Sequence, residues 1–149
     1  MSYYIRFLVT DEREISLSVI NAGLKEKDSA YSIERDEESD DEGELTFNGD
    51  IYGQIEINRS GDEVFDDDID LLKESAEEAD GDRKPEVLQT LIEAKVMLVV
   101  RVLWQGRETE ETLEKIDPLW EWLFSNYKGL LQVENEGFYN ASELILEIA

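Results

Sequence analysis

Residues 96–104 read Val96, Met97, Leu98, Val99, Val100, Arg101, Val102, Leu103 and Trp104, an apolar run of nine with one charge inside it. A run dense in β-branched residues and apolar at both parities belongs in a strand covered on both faces. It is far too short to cross a bilayer as a helix. Any fold for this chain must therefore place residues 96–104 at the centre of a sheet, with other elements packed above and below.

The flanking sequence supplies those elements. Residues 3–9 alternate, with Tyr3, Ile5, Phe7 and Val9 on one side and Tyr4, Arg6 and Leu8 on the other, which predicts a strand. Residues 11–25 fit two patterns: Ile15, Leu17 and Val19 alternate, while Leu17, Ile20 and Leu24 keep helical spacing behind Ser16 as N-cap. A helix suits the crossover that follows. Residues 30–35 read as a strand. The like-charge run Asp36, Glu37, Glu38, Asp40, Asp41 and Glu42 repels itself and is expected to form a mobile loop. Residues 44–47 and 50–58 flank Asn48-Gly49, a hairpin signal because both residues tolerate positive φ.

Val64, Phe65, Ile69, Leu72, Ala76 and Ala79 share one helical face, and residues 80–85 make a polar linker. A short helix then begins near Pro85, with Val87, Leu88, Leu91 and Ile92 on its apolar side. Residues 109–127 are helical but hold Pro118, and Asp117 can cap a segment starting there, so a kink or two helices is expected. Residues 129–134 form a further strand. Asn140 and Glu143 have capping-box spacing before a final helix bearing Leu144, Ile145 and Ile148.

The order β-α-β-β-β-α-α-β-α-β-α predicts one domain, residues 1–149, of the α+β or α/β class. The expected architecture is a mixed sheet of about five to six strands with packed helices, a variant of the ferredoxin-like arrangement. Residues 5–9 align with residues 100–104, a weak trace of a duplicated β-α-β unit.

Chemistry is constrained by what is missing. The chain has no cysteine and no histidine, which removes disulfides, thiolate nucleophiles, imidazole ligands and imidazole proton shuttling. No phosphate-cradling glycine loop, nucleophile elbow or basic patch is present. No catalytic residue, cofactor or resident metal is implied. Asp66, Asp68, Asp70 and Glu77 do occupy positions 1, 3, 5 and 12 of a calcium loop, but Leu71 stands where that loop needs glycine. Acids at a helix N-terminus explain them better. Glu134, Glu136, Phe138 and Tyr139, near Trp120 and Trp122, resemble a carboxylate and aromatic sugar site only loosely.

Net charge is −24, with 38 acidic against 14 basic residues. Such a field repels nucleic acid and anionic lipid and attracts basic proteins. The first residues hold no basic segment followed by a long apolar one, so the expected location is cytoplasmic.

One sheet face carries the candidate site. If Ile51, Ile55 and Ile57 face the main core, the opposite face gathers Leu45, Phe47, Tyr52, Gln54 and Glu56. Tyr4, Arg6 and Leu8 join them from the first strand, and Met97, Val99, Arg101 and Leu103 from the long one. Arg6 and Arg101 then need carboxylates, an open edge or a ligand, with Glu56 the expected partner. Trp122 lies off its helix's apolar stripe, to be covered by a neighbour or to anchor a partner. The leading expectation is a non-enzymatic protein-binding or regulatory module, of an inhibitor, immunity or nucleic-acid-mimic kind, recognising a basic partner. A small anionic-ligand or enzymatic site using Arg6, Arg101, Tyr52 and Glu56, and a structural homo-oligomer such as a homodimer, are the alternatives.

Overall fold

The computed structural model describes residues 3–148. Its elements are β1 (Tyr4–Val9), α1 (Leu17–Lys27), β2 (Tyr31–Asp36), β3 (Ser39–Phe47), β4 (Asp50–Arg59), α2 (Glu63–Glu78), α3 (Lys84–Glu93), β5 (Val96–Val102), α4 (Thr109–Asn126), β6 (Gly129–Val133), β7 (Gly137–Tyr139) and β8 (Leu144–Glu147). The strands form one sheet in the order β2-β3-β4-β5-β1-β6-β7-β8.

The fold is α+β, and the sheet differs from the expected one in two respects. It has eight strands instead of five or six, and every pairing is antiparallel, so it is not mixed. The two extra strands are β7 and β8 at the C-terminal end, and a second difference lengthens β3. The acidic run around residues 36–42 is the β2–β3 hairpin and not a loop. Ser39 pairs with Asp36 and Glu42 with Glu56 in the ladders, and the Asp40 and Asp41 side chains pair with Arg35 (2.8 Å) and Arg59 (2.7 Å). Exposed carboxylates on a strand can point into water, so like charge alone does not dissolve it.

The expected C-terminal helix is the β7–β8 hairpin. Asn140 Oδ1 accepts from the backbone N–H groups of Ser142 and Glu143, both at 2.8 Å, and so closes a turn with the residue type that also caps helices.

Two β-α-β connections are present: β1 and β2 point the same way, with β5, β4 and β3 between them, and are joined by α1, and the second connection is β5-α4-β6. β5 and β6 both run antiparallel to β1 and therefore point the same way, joined by α4 with β1 between them. Pro118 does not divide that connection: α4 is continuous, and Asp117 lies inside it instead of capping a second helix.

β5 occupies the predicted centre. Leu98, Val100 and Val102 face a layer made by α1 and α4, while Met97 and Val99 face a layer made by α2 and α3. Ile5, Phe7 and Val9 of β1 join the first layer and Leu8 the second. Ser16 caps α1 by accepting from Val19 N–H at 3.2 Å, settling residues 11–25 as the helical alternative. Asn48 (φ 52°) and Gly49 (φ 85°) make the expected hairpin turn.

Eight strands at about 4.8 Å spacing span about 34 Å. Two helices about 10 Å across cannot roof that width. On the first face, α1 lies against β2 and β3 while α4 lies against α1 and β4. On the second, α2 and α3 lie against β4, β6 and β8. The layers are offset, leaving two diagonal quadrants open: the second face of β2, β3 and the Gln54–Glu56 stretch of β4, and the first face of β6–β7.

Trp122 is the side chain that locks α4 to α1. It is half-buried, and a Cβ on Gly23 would sit 2.1 Å from its Cε2. It also meets Tyr127 at 6.0 Å between ring centroids. Gly23→Ala gains up to about 1 kcal/mol of helix propensity but overpacks this contact at a cost of about 1–3 kcal/mol. We expect it to destabilise the protein in urea melts, and to become neutral or stabilising in a Trp122→Ala background.

Candidate functional site

The second face of β2–β4 is read from the ladder. Cross-strand partners share a face, so Glu34, Glu44, Gln54, Arg101 and Tyr4 form one row across β2, β3, β4, β5 and β1. The adjacent row runs Glu42, Glu56, Val99, Arg6 and Gln132. The first members of both rows are carboxylates placed opposite each other, Glu34 with Glu44 and Glu42 with Glu56. Glu34, Glu42, Gln54 and Arg101 are exposed, and Tyr4, Glu44 and Glu56 half-buried. Together they line a depression of about 470 Å³ whose walls come entirely from strands.

Not all the residues assigned to this face reach it. Leu45, Phe47 and Tyr52 lie with the first-layer core instead. Leu45 pairs with Gly53 and Thr46 with Ile51, so Tyr52 is the extra residue of a bulge. The bulge shifts the register that a two-residue hairpin alone would dictate. Gly53 marks it, since a Cβ there would approach Val100 Cγ1 to 2.8 Å. In its actual position Tyr52 carries the Arg107 guanidinium over its ring at 3.9 Å. Arg107 also donates to the carbonyls of Ile51 (2.5 Å) and Leu103 (3.0 Å), tying off the ends of β4 and β5. Sequence reasoning missed that role, since the two carbonyls lie 56 and 4 residues away at the ends of different strands and carry no local pattern.

The two sheet arginines diverge. Arg6 is covered from the α2 side, with Nε 3.5 Å from Asp68 Oδ2, NH1 donating to Gln132 Oε1 at 3.0 Å, and Tyr4 5.5 Å from its guanidinium carbon. The expected partner Glu56 is not the one used. The Asp68 contact pairs charges without aligning a hydrogen bond, and buried Arg6 Nε–H has no acceptor. Arg101 is exposed and enters none of the ion pairs among the described residues. Its neighbours along the sheet are Glu34, Glu42, Glu44 and Glu56, so the field around it favours cations over anions.

Asp66, Asp68, Asp70 and Glu77 lie on α2, whose helical backbone runs through the would-be calcium loop. Asp68 is committed to Arg6.

The second open quadrant holds a larger cleft, about 690 Å³, between α4 and the β1–β6–β7 edge. Its walls include Ile5, Leu131 and Val133 from the sheet and Trp120 and Phe124 from α4. Glu136 stands at the β6–β7 turn, where Tyr3 Oη donates to one carboxylate oxygen at 3.0 Å and Tyr139 Oη to the other at 2.6 Å. The Glu136 hydrogen bond, then burial, push the Tyr139 hydroxyl up to about 12. Burial, then the same carboxylate, raise Tyr3 as well. Both therefore stay protonated donors at neutral pH.

Of the residues read as a loose sugar-site pattern, Glu136, Tyr139 and Trp120 do meet in this cleft. Phe138 is fully buried on the opposite sheet face, Trp122 packs on Gly23, and Glu134 accepts from the Tyr4 backbone N–H at 2.8 Å. Tyr3 and Asp117 complete the cleft; neither carried a sequence signal toward it, because their approach depends on how α4 crosses the sheet.

Asp117 is exposed, yet the protein packed around one side of it raises its pKa above the usual 3.8, with the Glu121 and Glu114 carboxylates adding to the shift. Compared with protein-family models, with curated proteins and with solved structures, the chain shows no match.

A raised carboxyl pKa means the folded state holds its proton more tightly than the unfolded chain. The associated stability is present below 3.8 and is lost as pH rises through the folded value. Asp117→Asn should therefore melt higher than the parent at pH 7, and the difference should vanish below the ordinary aspartate range. Thermal melts from pH 3 to pH 7 check both the sign and the window.

Proposed function

We propose that this domain binds a basic protein surface through the open quadrant of β2–β4. The observation that carries the reading is the pairing of Glu34 with Glu44 and of Glu42 with Glu56 on a face that no helix lines. Like charges directly opposite on antiparallel strands oppose folding by roughly 0.2–1 kcal/mol per pair. Two such pairs side by side make a surface whose repulsion is relieved when a cation docks. Tyr4, Gln54 and Arg101 at the floor add an aromatic ring, an amide and one fixed positive charge, which give register to an otherwise diffuse attraction. The net charge of −24 steers a basic partner towards the molecule, and the quadrant gives it a place to dock. The absence of histidine and cysteine from the chain fits recognition better than proton-shuttling or thiolate catalysis.

The test separates the face from the overall charge. The combined variant Glu34→Gln, Glu42→Gln, Glu44→Gln, Glu56→Gln is compared with Glu74→Gln, Glu77→Gln, Glu78→Gln, Glu110→Gln, which removes the same charge from exposed helix positions. Binding of a fluorescent arginine-rich peptide is followed by anisotropy across a salt series. The face variant should bind about tenfold more weakly with a shallower salt slope, and the helix variant should stay close to the parent. The face variant should also be no less stable than the parent, and more stable by up to about 1 kcal/mol per relieved pair. Equal losses in both variants would reduce the proposal to non-specific charge attraction.

A further inference from the structure

We propose that the cleft between α4 and the β6–β7 edge is a second, separate site, which takes a small organic cation: a primary ammonium carried on an aromatic or aliphatic body. Three observations on the cleft converge. Its volume of about 690 Å³ falls within the range of small-molecule sites, and its walls are largely apolar, with Trp120, Phe124, Leu131 and Val133 among them. No lysine or arginine lines it, whereas Asp117, Glu121, Glu136 and Glu143 do, Glu121 paired with Lys27 at 3.7 Å and Glu143 with Arg83 at 3.3 Å.

Glu136 is also held in place, because Tyr3 and Tyr139 each donate to one of its oxygens. A carboxylate oxygen has two lone-pair directions, so both oxygens keep acceptor capacity after the tyrosines are bound. An ammonium group meets this acceptor without the entropy loss of immobilising a free side chain. The aromatic rings of the wall favour a cation over a neutral amide or alcohol of the same shape. An anion would be repelled by Asp117 and Glu136, the carboxylates of the lining that enter no ion pair among the described residues.

Asp117 supports the same polarity. The protein packed around one side of it and its carboxylate neighbours disfavour its ionised form in the empty cleft, and a bound cation would reverse that preference and draw the proton off. Ligand binding at a pH just above the ordinary aspartate range should therefore release protons.

The experiment uses the full chain with three probes of one shape: 2-phenylethylammonium, 2-phenylethanol and 3-phenylpropanoate. Binding is followed by amide and indole chemical-shift changes. The ammonium should bind tightest, with shifts gathered at the Trp120 indole and residues 131–141. The alcohol should bind about tenfold more weakly, and the propanoate not measurably. Glu136→Gln and Asp117→Asn should each weaken the ammonium by about tenfold; Asp117→Asn also guards against misfolding, since it is expected to be at least as stable as the parent.

Equal affinity for the alcohol, or an unchanged affinity in both carboxylate variants, overturns the proposal. The combined glutamine variant of the β2–β4 face should bind 2-phenylethylammonium like the parent. Loss of binding there would show that the cation is held by the other quadrant or by net charge, and so would also overturn it.

Discussion

Burying β5 on both faces is the requirement from which the rest of the structure follows. A strand carrying Met97 and Val99 on one side and Leu98, Val100 and Val102 on the other needs apolar cover above and below. The chain meets this with two helix pairs, α1 with α4 and α2 with α3, centred on β5 and β1. Having spent its helices there, it has none left for the outer strands. An eight-stranded sheet is wider than either pair, and the pairs are displaced in opposite directions.

That offset links the fold to both candidate sites. The uncovered second face of β2–β4 must be polar to face water, and it is polar with one sign, which turns an exposed surface into a cation-attracting one. The uncovered first face of β6–β7 is not polar. It keeps Ile5, Leu131 and Val133 under a partial roof of α4 and so becomes a cleft. One geometric cause yields a flat charged surface in one quadrant and an apolar pocket with fixed carboxylates in the other. The two arginines on the central strands show the same boundary. Arg6 falls beneath α2 and pairs with Asp68, while Arg101, one row further out, is left to solvent and glutamates.

Much of the fold was legible because periodicity reports burial. The central position of β5, the alternation of β1, the helix α1 behind Ser16, the Asn48-Gly49 turn and the helices α2 and α3 all follow from which residues must leave water. The misread segments share a different cause. The acidic β3 is held by backbone ladders to β2 and β4, and hydrogen bonds to neighbouring strands leave no mark in side-chain charge. Asn140 serves a turn with the same side-chain geometry it would use to cap a helix. Pro118 is accommodated within α4 instead of ending it.

By itself, then, the sequence determined the buried strand, the class of fold, the overwhelming negative charge and the absence of thiol and imidazole chemistry. These are properties of residues taken one at a time or in short periods. Only the tertiary structure decided where the charge is concentrated, because the opposition of Glu34 to Glu44 and of Glu42 to Glu56 depends on register. A one-residue bulge at Tyr52 set the β3–β4 register that opposes Glu42 to Glu56 and removed Tyr52 from the site, while the β2–β3 ladder opposes Glu34 to Glu44. The crossing of α4 over the sheet, and not the bulge, brought Tyr3, Asp117 and Glu136 into one cleft. Contacts between residues more than a hundred positions apart are fixed by how helices cross a sheet, and no local pattern encodes that crossing.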